Sequence, residues 1–413
     1  MSWFDAARFG MFIHWGHVSQ QGWELSWPLV GGAPVFPACQ DVPAEQYHAG
    51  APQFRPQPHA AREWLRRAKR AGMRYAVLTT KHHDGFALWP TRAAQWSIAR
   101  TAYGGDLVRE FVEATRAAGL RVGFYLSLSD WHHPDYPPFT DADRPYAYGT
   151  KPRPTPQQWA SYLAVLYAQI AELLTDYGPI DVLWFDGGWE RSLDEWNCEA
   201  IERHIRTFQP DILINDRLPG RGDFDTPEQF IPPRPPARRW ETCLTMNDSW
   251  GWNSSDTNYK SARELVHALC EVAGRGGNLL LNVSPMGDGG LPAVQTERLD
   301  AISDWMAANG DAIHDTVPGL EAWQFYGPST RRGRTVYLHL LSRPYDTVTV
   351  RGVRIKHVES VRELRSGSAL SFRTRCSIAD QILNSDPSGE LVIALPDALI
   401  DPLATVLAID FAA

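Results

Sequence analysis

DVLWFDGG, residues 181–188, is the stretch whose reading decides the fold. The unbroken apolar run Val182–Phe185, rich in β-branched and aromatic side chains, reads as a buried strand. It ends on a carboxylate, Asp186, followed at once by two glycines. An acid at the exit of a buried strand costs free energy unless it has partners or a task. Where strands alternate with helices, that exit is where active sites sit. Asp186 is therefore the first candidate for a catalytic group, against the plainer reading of a helix cap or turn acid.

Strand and helix alternate around this stretch. Short apolar runs at Phe9–Trp15, Tyr75–Thr80, Arg121–Leu128, Asp181–Phe185, Ile212–Asn215 and Leu279–Val283 predict strands. Between them, Ala61–Ala71, Asp106–Ala118, Thr155–Tyr177, Leu193–Phe208, Ala262–Ala273 and Leu291–Ala308 predict helices, several closed by a glycine. Repeated units of this kind predict a (β/α)8-like barrel. No GxGxxG turn follows the first strand, which counts against a doubly wound sheet. The Pro- and Gly-rich region 219–260 predicts an irregular barrel. From about residue 320 the texture changes to short alternating runs with turns between. The expected organisation is a barrel over 1–317 followed by a small antiparallel β-sandwich over 318–413.

Composition narrows the function classes. A chain of 413 residues with net charge −8 and 44% hydrophobic residues reads as globular, with no reason to expect a nucleic-acid partner. Five scattered cysteines without a CxxC pair indicate neither a disulfide frame nor a structural zinc site. No apolar run reaches the ~18 residues a membrane span needs. The opening MSWFDAARFGMF has no basic and apolar leader pattern, which predicts a cytoplasmic enzyme. Seventeen Trp suit a protein that stacks indole faces on sugar rings.

The strand exits collect polar residues: His14 after the first, His82 and His83 after the second, Tyr125 on the third, Asp186 on the fourth, and Arg217 after the fifth. Each alone has a structural reading; together, at successive exits, they define a candidate site. A metal-dependent hydrolase is one alternative, but His14 and His17 are spaced H-x-x-H, and adjacent His82 and His83 alternate faces. Glycoside hydrolysis needs a second carboxyl group. Candidates for it are Glu228, Glu241 and Glu24.

Taken in order, RFGMFIHWG (8–16), KHHDGFALW (81–89), LWFDG (183–187), NDR (215–217), DFDTPE (223–228), WETCLTMNDSWGWN (240–253), GGNLLLNVSPMGDG (276–289) and NGDAIHDT (309–316) resemble the retaining α-L-fucosidases among glycoside hydrolases. That resemblance implies a barrel plus β-sandwich, removal of terminal α-linked L-fucose from oligosaccharides or glycoconjugates, and no metal or organic cofactor. It implies Asp186 as nucleophile and Glu228 as acid/base, with Glu241 in reserve. It implies His14, Glu24, His82, His83, Tyr125, Trp184, Arg217 and Trp250 as sugar-binding residues, although Leu25 stands where an aromatic is common. The roles call for Arg217 to keep Asp186 charged and for a drier setting around Glu228. Apolar lining for the C6 methyl is expected from Phe12, Trp184 or Trp250. A catalytically inactive fucose-binding protein is the other alternative. Apart from the resemblance, Trp131–Pro134 and the Pro- and Tyr-rich stretch to Arg153 read either as shaping the leaving-group side or as a loose surface loop.

Overall fold

The structure, a computed structural model, describes residues 1–31, 38–138, 140–144 and 153–412. Residues 139 and 145–152 of the stretch from Trp131 to Arg153 lie outside the described residues.

Seven parallel strands form the first sheet: β1 (Phe9–Ile13), β2 (Tyr75–Lys81), β3 (Arg121–Ser127), β4 (Val182–Asp186), β5 (Leu213–Ile214), β6 (Glu241–Leu244) and β7 (Asn278–Val283). Their order is β5-β4-β3-β2-β1-β7-β6. All residues of β1, β2, β4, β6 and β7 are buried. This is why these runs are continuously apolar rather than alternating: inner rings fill the barrel and outer side chains meet helices.

The sheet's two ends, β5 and β6, are joined by a segment too irregular to read as a strand. Phe224 bridges Asn215 beside β5, Asp225 bridges Trp240, and Glu228 bridges Cys243 on β6, all in parallel sense. Asp223 N donates to Ile214 O at 2.6 Å and Cys243 N to Pro227 O at 3.1 Å. Residues 223–228 thus stand in for the eighth strand. Pro227 and the acids Asp223, Asp225 and Glu228 hide the pattern in the sequence. β6 itself is a strand within the region expected to be irregular.

The helices follow their local signals. Ala60–Arg70 buries Ala61, Trp64, Leu65 and Ala68, an i, i+3, i+4, i+7 stripe. Pro156–Thr175 starts in a capping box, with Thr155 Oγ1 accepting from Gln158 N at 3.3 Å and proline in the first turn. The single helix expected over Leu193–Phe208 is two, Leu193–Trp196 and Cys198–Phe208. Asn197 takes the left-handed conformation, φ 49°, between them, one of the few residue types that tolerates it.

The second region is antiparallel. Strands β8 (Val317–Pro318), β9 (Ser329–Arg332), β10 (Thr335–Leu340), β11 (Thr347–Arg354), β12 (Val358–Glu363), β13 (Phe372–Arg375), β14 (Ser388–Ala394) and β15 (Thr405–Phe411) form two sheets, β12-β15-β10-β9-β8 and β11-β14-β13. Leu338, Leu407 and Ile409 of the first sheet pack with Val348, Val350, Leu391 and Ile393 of the second. The alternate residues Tyr337, Val406 and Ala408 join the barrel core instead. Trp305 Nε1, from the helix Ala293–Asn309, donates to Ala404 O at 2.8 Å across that junction. β15 is therefore covered on both faces from Val406 to Ile409, and that run is apolar without alternation.

Gly10 of β1 is closely packed inside the barrel: a Cβ there would collide with the ring of Tyr75 on β2. Gly10→Ala is expected to destabilise the protein by about 1–3 kcal/mol, the usual cost of overpacking a core. Urea unfolding of the variant measures it, and parental stability would show that the Tyr75 ring can move aside.

Candidate active site

Asp186 is the last residue of β4 and is 8% exposed. Its backbone carbonyl accepts from Leu128 N at 2.7 Å, tying the strand end to the chain leaving β3. Gly187 follows with φ 75°, and a Cβ there would collide with the Ser129 side chain, so glycine is required at the turn. Donors from two other strands hold the Asp186 carboxylate. Tyr125 OH, from β3, donates to Oδ2 at 3.0 Å, and Arg217 Nη1, just beyond β5, donates to Oδ1 at 3.1 Å. His83 Nε2 stands 3.6 Å from Oδ2.

Arg217 serves a second acid as well. Its Nη2 donates to Glu228 Oε2 at 2.6 Å and its Nε to Thr226 Oγ1 at 3.2 Å, while the guanidinium lies 4.7 Å over the Trp184 ring. Burial opposes the positive charge, but Asp186 and Glu228 together outweigh it and push the guanidinium well above its ordinary value. The drier setting expected for Glu228 is not what the free site offers: the side chain is 34% exposed and ion-paired.

The three histidines sit behind this pair as neutral rings. His14 Nδ1 meets Asn282 Oδ1 at 2.7 Å, His82 Nδ1 meets Ser26 Oγ at 2.7 Å, and His83 Nδ1 meets Ser127 Oγ at 2.8 Å. Burial above all holds His14 and His83 at about 3 and His82 well below the ordinary histidine value. With Nδ1 of His14 donating to a carbonyl oxygen, its Nε2 is left as an acceptor suited to a hydroxyl. Among the described residues no group of three or more His, Cys, Asp or Glu side chains is arranged to hold a metal ion.

These groups line one cavity of about 350 Å³. Nine of the ten predicted site residues are on its wall: Asp186, Glu228, His14, His82, His83, Tyr125, Trp184, Arg217 and Trp250. Phe12 joins them, beside the Trp184 ring at 5.1 Å and the Trp250 ring at 5.9 Å. Glu24 does not. It is fully buried one layer behind, where Oε1 accepts from Leu25 N at 2.8 Å and Gly251 N at 2.7 Å, and Oε2 from Trp250 N at 2.8 Å. Its acceptors are spent on the loop that presents Trp250, and burial pushes it up to about 7. Glu241, the reserve candidate for acid/base, is also fully buried and does not line the cavity.

Three wall residues went unread in the sequence: Trp27, Trp189 and Cys243. Trp189 has a signal, since it follows Asp186 by three residues on the turn Gly188–Glu190. Cys243 alternates with Thr242 on β6, a strand that was not recognised. Trp27 has none beyond its place in GWELSW.

Comparison with known proteins agrees over nearly the whole chain. The family model described as alpha-L-fucosidase matches residues 1–311. The tissue alpha-L-fucosidase of Mus musculus is 30% identical, covering 100% of this chain and 90% of its own. Alpha-L-fucosidase isoenzyme 1 from Paenibacillus thiaminolyticus superposes with TM-score 0.84 at 34% identity, covering 100% of this chain and 98% of its own. An alpha-L-fucosidase from Bacteroides thetaiotaomicron, trapped as a covalent intermediate with 2-fluoro-fucosyl fluoride, superposes with TM-score 0.83 at 26% identity, covering 99% and 95%.

Burial raises the Glu241 carboxyl from 4.5 to about 7. As pH rises the unfolded chain loses this proton first, so stability present below pH 4.5 is lost progressively up to about pH 7. The loss is on the order of 3 kcal/mol. Glu241→Gln should therefore show a shallower decline in urea-unfolding free energy between pH 5 and 8 than the parent. An unchanged slope would mean that Glu241 is not the group responsible.

Proposed function

Since this chain belongs to the alpha-L-fucosidase family, we infer that its cavity takes one terminal fucose and that Asp186 and Glu228 perform the two chemical steps. The enzyme is a retaining exo-glycosidase that releases terminal α-linked L-fucose through a covalent fucosyl-enzyme. Asp186 attacks the anomeric carbon while Glu228 protonates the departing oxygen. Glu228 then takes a proton from water, which releases fucose with its original anomeric configuration.

The observation that carries these assignments is the fork of Arg217, with Asp186 on one terminal nitrogen and Glu228 on the other. Two acids on one guanidinium fit the short spacing of double displacement, about 5–5.5 Å, better than the wider spacing of inverting enzymes. Their settings also differ as the roles require. Asp186 is nearly buried and held on both oxygens by donors, so it stays in place as a nucleophile. Glu228 reaches solvent, where it can exchange protons once the arriving sugar displaces it from Arg217. The neutral imidazoles accept and donate to ring hydroxyls, contacts that can tighten as the ring distorts. Phe12, Trp184 and Trp250 offer the C6 methyl an apolar wall, where a hexose with a C6 hydroxyl would lose a partner.

Asp186→Ala should abolish turnover of 4-nitrophenyl α-L-fucoside, with partial recovery on adding azide or formate. Parental activity in that variant would remove the nucleophile assignment. Glu228→Ala should slow fucosylated oligosaccharides far more than the aryl fucoside, because an activated leaving group departs without a proton. Equal losses on both would place the acid elsewhere. A panel of 4-nitrophenyl glycosides tests the sugar: fucoside should be cleaved and the galactoside, which carries a C6 hydroxyl, should not.

A further inference from the structure

Glu241, at the start of β6, is a fully buried carboxyl that neither chemical step uses. Its Oε1 accepts from Trp184 Nε1 at 3.1 Å, and its Oε2 accepts from Tyr75 OH. Both partners are neutral. An acid placed in a barrel interior without a cation is costly, and apolar side chains of similar volume would fill the space more cheaply. Its retention calls for a task that a hydrogen-bond acceptor performs.

That task can be traced from ring to ring. The Trp184 indole held by Glu241 stacks on Tyr125, with centroids 5.7 Å apart and planes 19° apart. The same indole lies under the Arg217 guanidinium at 4.7 Å. Tyr125 and Arg217 are the two donors that hold the two oxygens of Asp186. One indole therefore backs both groups that aim the nucleophile, and its own N–H end is fixed by Glu241. On the far side Glu241 is held in turn by Tyr75 OH, whose buried ring lies against Gly10.

We propose that Glu241 is a positioning residue that sets the Trp184 indole at the angle from which Tyr125 and Arg217 orient the Asp186 carboxylate. This rests on the assignment of Asp186 as nucleophile. It gives Glu241 no proton to transfer, so its loss slows aryl fucosides and fucosylated oligosaccharides equally. Sub-ångström misplacement of a nucleophile lowers kcat more than it weakens substrate binding.

The test uses the full chain, with 4-nitrophenyl α-L-fucoside and a fucosylated disaccharide as substrates. Glu241→Leu removes the acceptor and is expected to lower kcat by about 100-fold on both substrates, with KM changed less than about threefold. Azide should not restore it. Glu241→Gln keeps an oxygen for the indole and should recover kcat to within about fivefold of the parent. Trp184→Phe removes the donor, and adding Glu241→Leu to it should cost little more, since both act through one hydrogen bond. If Glu241→Leu does not fold, Glu241→Met, which also lacks the carboxyl acceptor, replaces it alone and combined with Trp184→Phe. Parental kcat in Glu241→Leu, recovery by azide, or losses that multiply in the double variant would each overturn the proposal. Asp186→Ala in the same assay separates the two readings: if it turns over, the nucleophile assignment fails, whereas an inert Asp186→Ala beside a parental Glu241→Leu removes the positioning role alone.

Discussion

The fork of Arg217 is the interaction on which the site depends. Two carboxylates sharing a cavity of this size repel each other and resist ionising together. A guanidinium between them removes most of that cost, and its planar fork gives each acid its own nitrogen, which a lysine ammonium would not. The same guanidinium pairs with Glu228 at the open side of the cavity.

Arg217 has this reach because of how the barrel closes. β5 is two residues long, and the chain leaves it at once through Asn215-Asp216-Arg217. Thr226 then accepts from Arg217 Nε and donates to Asp216 Oδ1 at 2.5 Å, which knots that turn to the segment standing in for the eighth strand. Glu228 lies two residues further on, pinned beside Cys243 of β6. A regular eighth strand would alternate its side chains between core and helix layer. The irregular one, stiffened by Pro227, can turn an acid towards the mouth.

How much of this could be read from residues alone follows from which forces act locally. A strand buried on both faces must be apolar from end to end, so Val182–Phe185 announced itself, and the acid that broke the run stood out. His14, His82 and His83 were legible for the same reason, as polar residues at the ends of such runs. The break at Asn197 was not, since capping by Ser192 and the left-handed turn of one asparagine are compatible with an unbroken helical pattern. β6 was hidden because Glu241 and Thr242 interrupt its apolar character, and both are polar for reasons that lie across the barrel. Trp27 reaches the cavity wall from a segment with no periodicity to read.

Glu24 shows the deeper limit. Four acids cluster around this pocket; Asp186 is marked by the apolar run it ends, but nothing in the local sequence separates Glu228 from Glu24 and Glu241. What separates them is the donors each one meets. Asp186 and Glu228 share the Arg217 guanidinium on the cavity wall. Glu24 is filled by three backbone N–H groups, and Glu241 by an indole and a phenol, so neither has a lone pair directed at a substrate. Those donors come from loops and strands remote in the chain, and only the fold brings them together. A carboxylate whose acceptors are spent on the scaffold shapes the site; one that faces a shared cation and open space can act on what enters it.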